Sequence, residues 1–347
     1  MNERKPPTIR EVAARAGVSV MTVSRVANKQ SWVSPQTRAR VEKAIADLNY
    51  APNASARALA GGEDRRIALL YRNTTTSAYL GELLLGGLDE AAKHHLHLVV
   101  ELCETGGAVE DIIAQILQAR VSGVIVPPPL CDWDELAQAL SRHGIPWVAI
   151  APDESRGMMV VAIDDRQAAG EMTRHLIDLG HRRIAFIQGN PQHRSSARRL
   201  EGFRAAMTAQ GLPVEEDYIV EGDFSYRSGL EAAAHLLSLE TPPTAIFACN
   251  DDMAAATITI AHQRQINVPA DLTVCGFDDT PLAAAIWPTL TTIRQPIRDM
   301  SRAAMTLLAE AMKGGDELDV KGLAQLNCSL IRRQSDAVPR LHHRRGP

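Results

Sequence analysis

TIREVAARAGVSVMTVSRVAN, residues 8–28, reads as two short helices joined by a tight turn. Thr8 can cap the first helix, and Glu11, three residues on, can complete a capping box. Ile9, Val12, Ala13 and Ala16 then share one face at helical spacing. Gly17 suits the break, because glycine takes a left-handed backbone without steric cost. Ser19 can cap the second helix. That helix buries Val23 and Val26 and leaves Val20, Met21, Thr22, Ser24 and Arg25 near its exposed N-terminal end. The pattern is a helix-turn-helix, whose second helix enters the DNA major groove with its first residues at the base edges. The bland alternative is a helical hairpin packed into a larger core.

Charge favours the DNA reading. Residues 1–62 hold ten Lys and Arg against four Asp and Glu, a local charge of +6 in a chain whose net charge is −4. The remainder therefore carries −10. A basic head on an acidic body is the electrostatic footprint of a nucleic-acid-binding module joined to something else.

Beyond the two helices, Ser34 and Pro35 are good residues for the cap and first position of a third. Val41, Ala44, Ile45 and Leu48 make its apolar stripe. Pro52 ends it, since proline disfavours helix at the residue before it. Residues 53–62, NASARALAGG, are helix-capable but too short to hold a helix alone in water. They read as a hinge that folds only when something holds it.

From residue 67 the texture changes to strands alternating with helices. Strands are expected at 67–71, 96–102, 123–127 and 146–150, with helices at 79–94, 109–120 and 132–143 between them. The pattern then restarts with strands at 160–163, 184–188, 245–249 and 273–277. Helices are expected at 165–179, 199–210, 226–239 and 251–263. Such alternation means βαβ units and parallel sheets. Two sets of it predict two doubly wound subdomains with a cleft between them. Ligands in open α/β sheets bind beyond the carboxyl ends of the strands, so the chemistry is expected just after Tyr71, Val126, Ile150, Ile163, Gln188, Cys249 and Phe277.

Composition sets the class. With 347 residues, 45% hydrophobic and 22% charged, the chain is expected to form two or three soluble globular domains. No apolar run reaches the roughly 20 residues that span a bilayer. MNERKPP has no apolar core to make it a secretory signal. A cytoplasmic location with no membrane partner is the expectation. The five cysteines, Cys103, Cys131, Cys249, Cys275 and Cys328, form no CxxC pair and are odd in number. They suit neither a disulfide framework nor a structural zinc site. No cofactor, metal or catalytic group is expected.

With these residues in view, the chain resembles the lactose-repressor/galactose-repressor (LacI/GalR) family of bacterial regulators. The resemblance is carried by residues 8–28 and by VSPQTRARVEKAIADLNYAPN (33–53), SARALAG (55–61), LGHRRIAFIQG (179–189), ARRLEGF (197–203), ACNDDMAAA (248–256), VCGFDDTPLA (274–283) and LTTIRQP (290–296). It implies a small all-α helix-turn-helix head over 1–52 and a hinge helix and linker over 53–64. An α/β core of two doubly wound parallel-sheet subdomains, similar to periplasmic binding proteins, would cover 65–333, with crossovers near 151–163 and 278–295. A disordered basic tail would fill 334–347.

Position by position, the resemblance places Val20, Met21 and Arg25 at the base-reading positions. Arginine can pair bidentately with guanine, and apolar side chains meet the thymine methyl. Thr8, Ser19, Thr22, Ser24, Asn28 and Ser34 fall where phosphates are met, contacts that set register. Leu59 matches a hinge leucine that wedges into the minor groove and kinks the operator, with Ala56 and Ala60 beside it. In the core, Tyr79, Ser195, Arg199, Phe224, Asn250, Asp278 and Gln295 match effector-pocket positions. Hydrogen-bonding groups beside aromatic rings suit a polyol. Two departures stand out. Ala151 and Pro152 follow the strand where many relatives have Asp, and Arg72 follows the first strand where small or polar residues are common. Arg72 could hold a carboxylate on a sugar acid, or make a surface salt bridge.

The implied function is a ligand-responsive repressor of carbohydrate-utilisation genes, a homodimer on a pseudo-palindromic double-stranded operator. Its effector would be a sugar, glycoside or sugar acid, with a co-repressing nucleobase as the alternative. A sugar-binding transport receptor leaves the basic head unexplained. A metal-dependent sugar enzyme using Asp251, Asp252, Asp278 and Asp279 lacks a phosphate loop and a nucleophile–base pair.

Overall fold

In the computed structural model, the described residues are 7–27, 32–48, 50, 65–72, 77–104, 106–152, 159–191, 193–313 and 322–340. The chain divides into two units, Met1–Asp64 and Arg65–Pro347. Asn28, Ala56, Leu59, Ala60 and the expected hinge helix lie outside the described residues.

The first unit contains α1 (Ile9–Ala16), α2 (Val20–Ala27) and α3 (Pro35–Leu48). Val12, Ala13, Ala16, Val23, Val26, Val41, Ala44 and Tyr50 form its small core. Gly17 makes the break after α1 at φ +65°, a conformation that costs a side chain free energy.

The second unit is two α/β lobes. Its strands are β1 (Arg66–Arg72), β2 (His97–Cys103), β3 (Gly123–Val126), β4 (Trp147–Ile150), β5 (Met159–Ala162), β6 (Ile184–Gln188), β7 (Ile219–Glu221), β8 (Ala245–Ala248), β9 (Thr273–Asp278), β10 (Thr291–Arg294), β11 (Leu323–Gln325) and β12 (Ser329–Ile331). The first sheet runs β11-β5-β4-β3-β1-β2 and the second β12-β10-β9-β8-β6-β7. Pairing is parallel except between β10 and β12. Helices α4 (Ser77–Lys93), α5 (Val109–Ala119) and α6 (Asp134–Arg142) connect the first lobe. The second lobe holds α7 (Asp165–Asp178), α8 (Arg194–Ala209), α9 (Tyr226–Leu236), α10 (Asp251–Gln263) and the short α11 (Pro281–Ala285).

Interior strands such as β3, β4 and β8 are buried along their whole length, as expected of parallel strands covered on both faces. One apolar layer of the first lobe joins Ile67, Leu69 and Ile125 to α4 and to α12 (Ile297–Ala311). The other joins Ala68, Leu70 and Val124 to α5 and α6. Helix α12 follows the second lobe in sequence yet packs on α4. The approach is close at Gly86, where a Cβ would sit 2.1 Å from the Arg298 carbonyl oxygen. The chain therefore passes between lobes after β5, after β10 and after β11.

Two expectations are corrected. The strand read as opening the second repeat, 160–163, belongs to the first sheet, where β5 pairs with β4 through Val148 and Met159. An apolar run does not reveal its pairing partner, so the sequence alone could not assign it. The segment from Gln334, expected to be a disordered tail, is packed as far as it is described, to Arg340. Ser335 is fully buried and Asp336 is 7% exposed. Ser335 Oγ accepts from Thr291 N at 2.8 Å and donates to the Val274 carbonyl at 2.6 Å. Hydrogen bonds, not apolar anchors, hold this polar segment.

Candidate functional site: an interlobe cleft and a helix-turn-helix face

A cleft of about 720 Å³, open space at its mouth included, lies between the lobes. Its walls are the residues that follow the strands. Tyr71 is the last residue but one of β1, Pro127 and Pro128 follow β3, and Ala151 follows β4. From the other lobe come His193, Ser195 and Arg199 after β6, Phe224 after β7, Asn250 after β8, Asp278 at the end of β9 and Gln295 after β10. Tyr79, Leu80 and Leu83 of α4 complete the lining.

The polar end is built around Arg199, which is 5% exposed. Its Nε donates to Asp165 Oδ1 at 2.7 Å and its Nη1 to the Cys249 carbonyl at 2.6 Å. Its guanidinium lies 3.6 Å from the centre of the Phe277 ring. Burial works against the charge, but the carboxylates of Asp165 and Asp278 outweigh it and raise the Arg199 pKa. Asp278 Oδ1 accepts from Gln295 Nε2 at 2.6 Å. Burial pushes Asp278 up to about 7, even though Arg199 and Gln295 pull it down. Asp278 and Asp279 both have positive φ, +115° and +56°. Such backbone costs free energy and is kept where the surrounding structure imposes it. Asp279 is held by Arg294 Nε at 2.6 Å and Arg333 Nη2 at 2.5 Å.

The apolar side carries rings. The centres of His193 and Phe224 are 5.1 Å apart. Gly189 lies beneath Phe224, and a Cβ there would fall 2.1 Å from the ring. Phe224 has φ +69°. Burial and the neighbouring Asp278 raise the Tyr79 pKa, so its phenol stays a hydrogen-bond donor. Asn250 serves twice: Oδ1 caps α10 by accepting from Met253 N, and Nδ2 donates to the Phe224 carbonyl.

In the first unit, Thr8 Oγ1 accepts from Glu11 N, and Glu11 Oε2 accepts from Thr8 N at 2.6 Å. Ser19 Oγ accepts from Thr22 N at 3.1 Å and starts α2. With Val23 and Val26 buried, Val20 and Met21 are 41% and 65% exposed on the opposite side. Arg25 is also exposed. Ser19, Thr22, Arg25, Trp32, Ser34 and Arg40 border one shallow depression.

These geometries have known counterparts. Residues 8–53 match the family model "Bacterial regulatory proteins, lacI family" and residues 173–335 match "Periplasmic binding protein-like domain". An HTH-type transcriptional repressor PurR from Vibrio parahaemolyticus is 37% identical over 315 residues, 88% of this chain and 92% of that protein. The chain belongs to the LacI family. A crystal structure of the lac repressor dimer bound to operator and the anti-inducer ONPF is 31% identical, with TM-score 0.84 over 96% of this chain and 100% of that one. A complex of the transcriptional regulator CelR with cellobiose is 31% identical, with TM-score 0.72 over 95% and 99%. This LacI-family chain is a ligand-responsive transcriptional repressor and not an enzyme.

Seven residues singled out in the sequence meet in the cleft: Tyr79, Ser195, Arg199, Phe224, Asn250, Asp278 and Gln295. Arg72 does not line it. Arg72 stands beside the cleft, with its guanidinium 5.0 Å from the centre of the Trp133 ring. The sequence reading missed Tyr71, Leu80, Leu83, Pro127, Pro128 and His193. Tyr71 and Pro127 directly end strands, a signal that was available. His193 had none. The alternative use of the acidic residues, as metal ligands, meets a physical obstacle. Asp251 Oδ2 accepts from Thr280 N at 2.7 Å and Oδ1 from Thr292 Oγ1 at 2.6 Å, so this carboxylate is already engaged. No described helix is long and apolar enough to cross a membrane.

Proposed function

We propose that this repressor acts as a homodimer on a pseudo-palindromic operator, and that a sugar-like effector in the interlobe cleft sets its operator affinity. The observation that carries the reading is the gathering of Arg199, Asn250, Asp278 and Gln295 in one cleft with the rings of Tyr79, Phe224 and His193. Vicinal hydroxyls need donors and acceptors side by side, while the C–H face of a sugar ring packs on an aromatic. The relative solved with cellobiose supports the same ligand class. Carbohydrate-utilisation genes are the corresponding targets.

On the DNA side, Arg25 supplies bidentate donors to guanine, and Val20 and Met21 supply apolar contact to thymine. Thr8, Ser19, Thr22, Ser24 and Ser34 meet phosphates. Two heads on a two-fold dimer read two half-sites, as the operator-bound dimer of the lac repressor suggests. For the effector to release DNA strongly, it must favour the DNA-free state by a few kcal/mol.

The test is fluorescence anisotropy of a labelled operator from upstream of the neighbouring genes, with and without sugars, glycosides and purines. Salt-sensitive binding weakened by one sugar supports the reading. Binding that appears only on adding a purine replaces it with the co-repressor alternative. Arg25→Ala should cost about 1–3 kcal/mol of operator affinity and relax specificity at one base pair.

A further inference from the structure

The cleft is flanked by a cation that its own chemistry does not use. Arg199 is matched by Asp165 at 2.7 Å, with Asp278 at 3.8 Å. Arg333 is matched by Asp279 and the Leu290 carbonyl. Arg72 differs. It directly follows the lining residue Tyr71 at the carboxyl end of β1. Its buried Nε has no hydrogen-bond partner, and it makes no ion pair among the described residues. Its contact is the face of Trp133, 5.0 Å from guanidinium carbon to ring centre.

That arrangement has a chemical consequence. Stacking on an indole holds the plane of a guanidinium and leaves its N–H edge free for an acceptor. A buried N–H without an acceptor is costly, and a planar pair of carboxylate oxygens is its best match. Arg72 also acts on the cleft itself. After burial and Arg199, its charge is the remaining cause that depresses the pKa of the lining His193. The negative groups at the polar end do not answer Arg72, since Asp165 is taken by Arg199, and Asp278 is bonded to Gln295.

We propose that Arg72, oriented by Trp133, is the anion-binding residue of this cleft and that the effector is an acidic sugar whose carboxylate reaches the rim of the first lobe. This rests on the cleft being the effector site and narrows the effector to uronic or aldonic acids and their short glycosides.

The test is isothermal titration calorimetry of the full chain at pH 7.5 with matched probes: glucuronate against glucose, galacturonate against galactose, and digalacturonate against galactobiose. Glucose 6-phosphate and purines are separate arms. At least one acid should bind tenfold or more tightly than its neutral counterpart. In Arg72→Gln the gap should shrink below threefold, while the neutral counterpart keeps its affinity. Arg72→Lys should restore part of the gap, and Trp133→Leu should narrow it. Thermal unfolding of each variant verifies that it is folded. Equal binding of acid and neutral partner, an unchanged gap in Arg72→Gln, or no binding of any acid overturns the inference. So does a sugar phosphate that outbinds every acid. In those cases neutral-sugar binding leaves the carbohydrate reading intact, purine binding replaces it, and silence in every arm removes it as well.

Discussion

The side-chain amide of Asn250 donates to the main-chain carbonyl of Phe224 at 2.9 Å, while its oxygen accepts from Met253 N at 3.0 Å. One buried side chain thus starts helix α10 and ties down the loop that presents an aromatic ring to the cleft. Phe224 has φ +69°, so that loop is held in a costly conformation.

Replacing Asn250 with Ser separates the two roles. Serine still caps a helix but cannot reach the Phe224 carbonyl. Asn250→Ser should leave stability within about 1 kcal/mol of the parent, yet weaken effector binding at least tenfold. Asn250→Ala should lose binding and also about 1–3 kcal/mol of stability. Urea unfolding and calorimetry on the two variants measure the difference. Full effector affinity in Asn250→Ser would break the link to Phe224.

Gly189→Ala tests the ring from below. The added methyl would meet the Phe224 ring at 2.1 Å, far inside contact distance, so the ring must leave. Operator binding should survive, since the helix-turn-helix is a separate unit. Response to effector should disappear. Operator anisotropy with and without effector reads both quantities in one titration.

Part of this site was legible because Asn250 and Asp278 each follow a strand of an alternating βα pattern, and in such sheets ligands meet the strand ends; Gln295 was legible only from the resemblance at 290–296. Arg199 was legible from its place in the motif at 197–203. His193, Leu80 and Leu83 were not, because their position depends on how two sheets face each other, which no local spacing encodes. The strand at 160–163 was placed in the wrong lobe for the same reason: its partner, β4, is what defines it. Arg72 was noticed for its charge, but only the structure shows that Trp133, not a carboxylate, is its neighbour.

His193 predicts an acid sensitivity. Burial, with Arg199 and Arg72 nearby, pushes its pKa down to about 4. In the unfolded chain a histidine titrates near 6.5. Below about pH 6.5 the unfolded chain therefore takes a proton that the folded chain refuses, and stability falls until the pH passes the folded value. The loss between pH 7 and 4.5 is roughly 2–3 kcal/mol from this group. Urea unfolding at both pH values should show His193→Asn losing less stability than the parent by about that amount. Equal losses would place the acid sensitivity elsewhere.

The segment after Arg333 gives the last prediction. Val274 N donates to the Ser335 carbonyl at 2.9 Å, and Ala337 N donates to Thr273 Oγ1 at 3.0 Å. Asp336 accepts from Thr291 Oγ1, and from His175 Nε2 at 2.9 Å. These bonds continue the second sheet along β9 and β10, so removing the segment takes the protein partners from its buried donors and acceptors. At about 1 kcal/mol for each lost bond, a chain ending at Arg333 should lose roughly 3–5 kcal/mol and melt about 10 °C lower. A chain ending at Arg340 keeps every one of these bonds and should melt with the parent. Asp336→Asn keeps the shape and removes the charge. Burial opposes that charge, but His175, Thr291 and Arg332 together lower the Asp336 pKa. Its stabilisation is present above the ordinary carboxylate pKa near 3.9 and is lost as the pH falls through the lower folded value. Asp336→Asn should therefore destabilise at pH 7 and less so at pH 3. Differential scanning calorimetry on the three variants decides whether the segment is part of the sheet: identical melting of the Arg333 and Arg340 truncations would show that it is not.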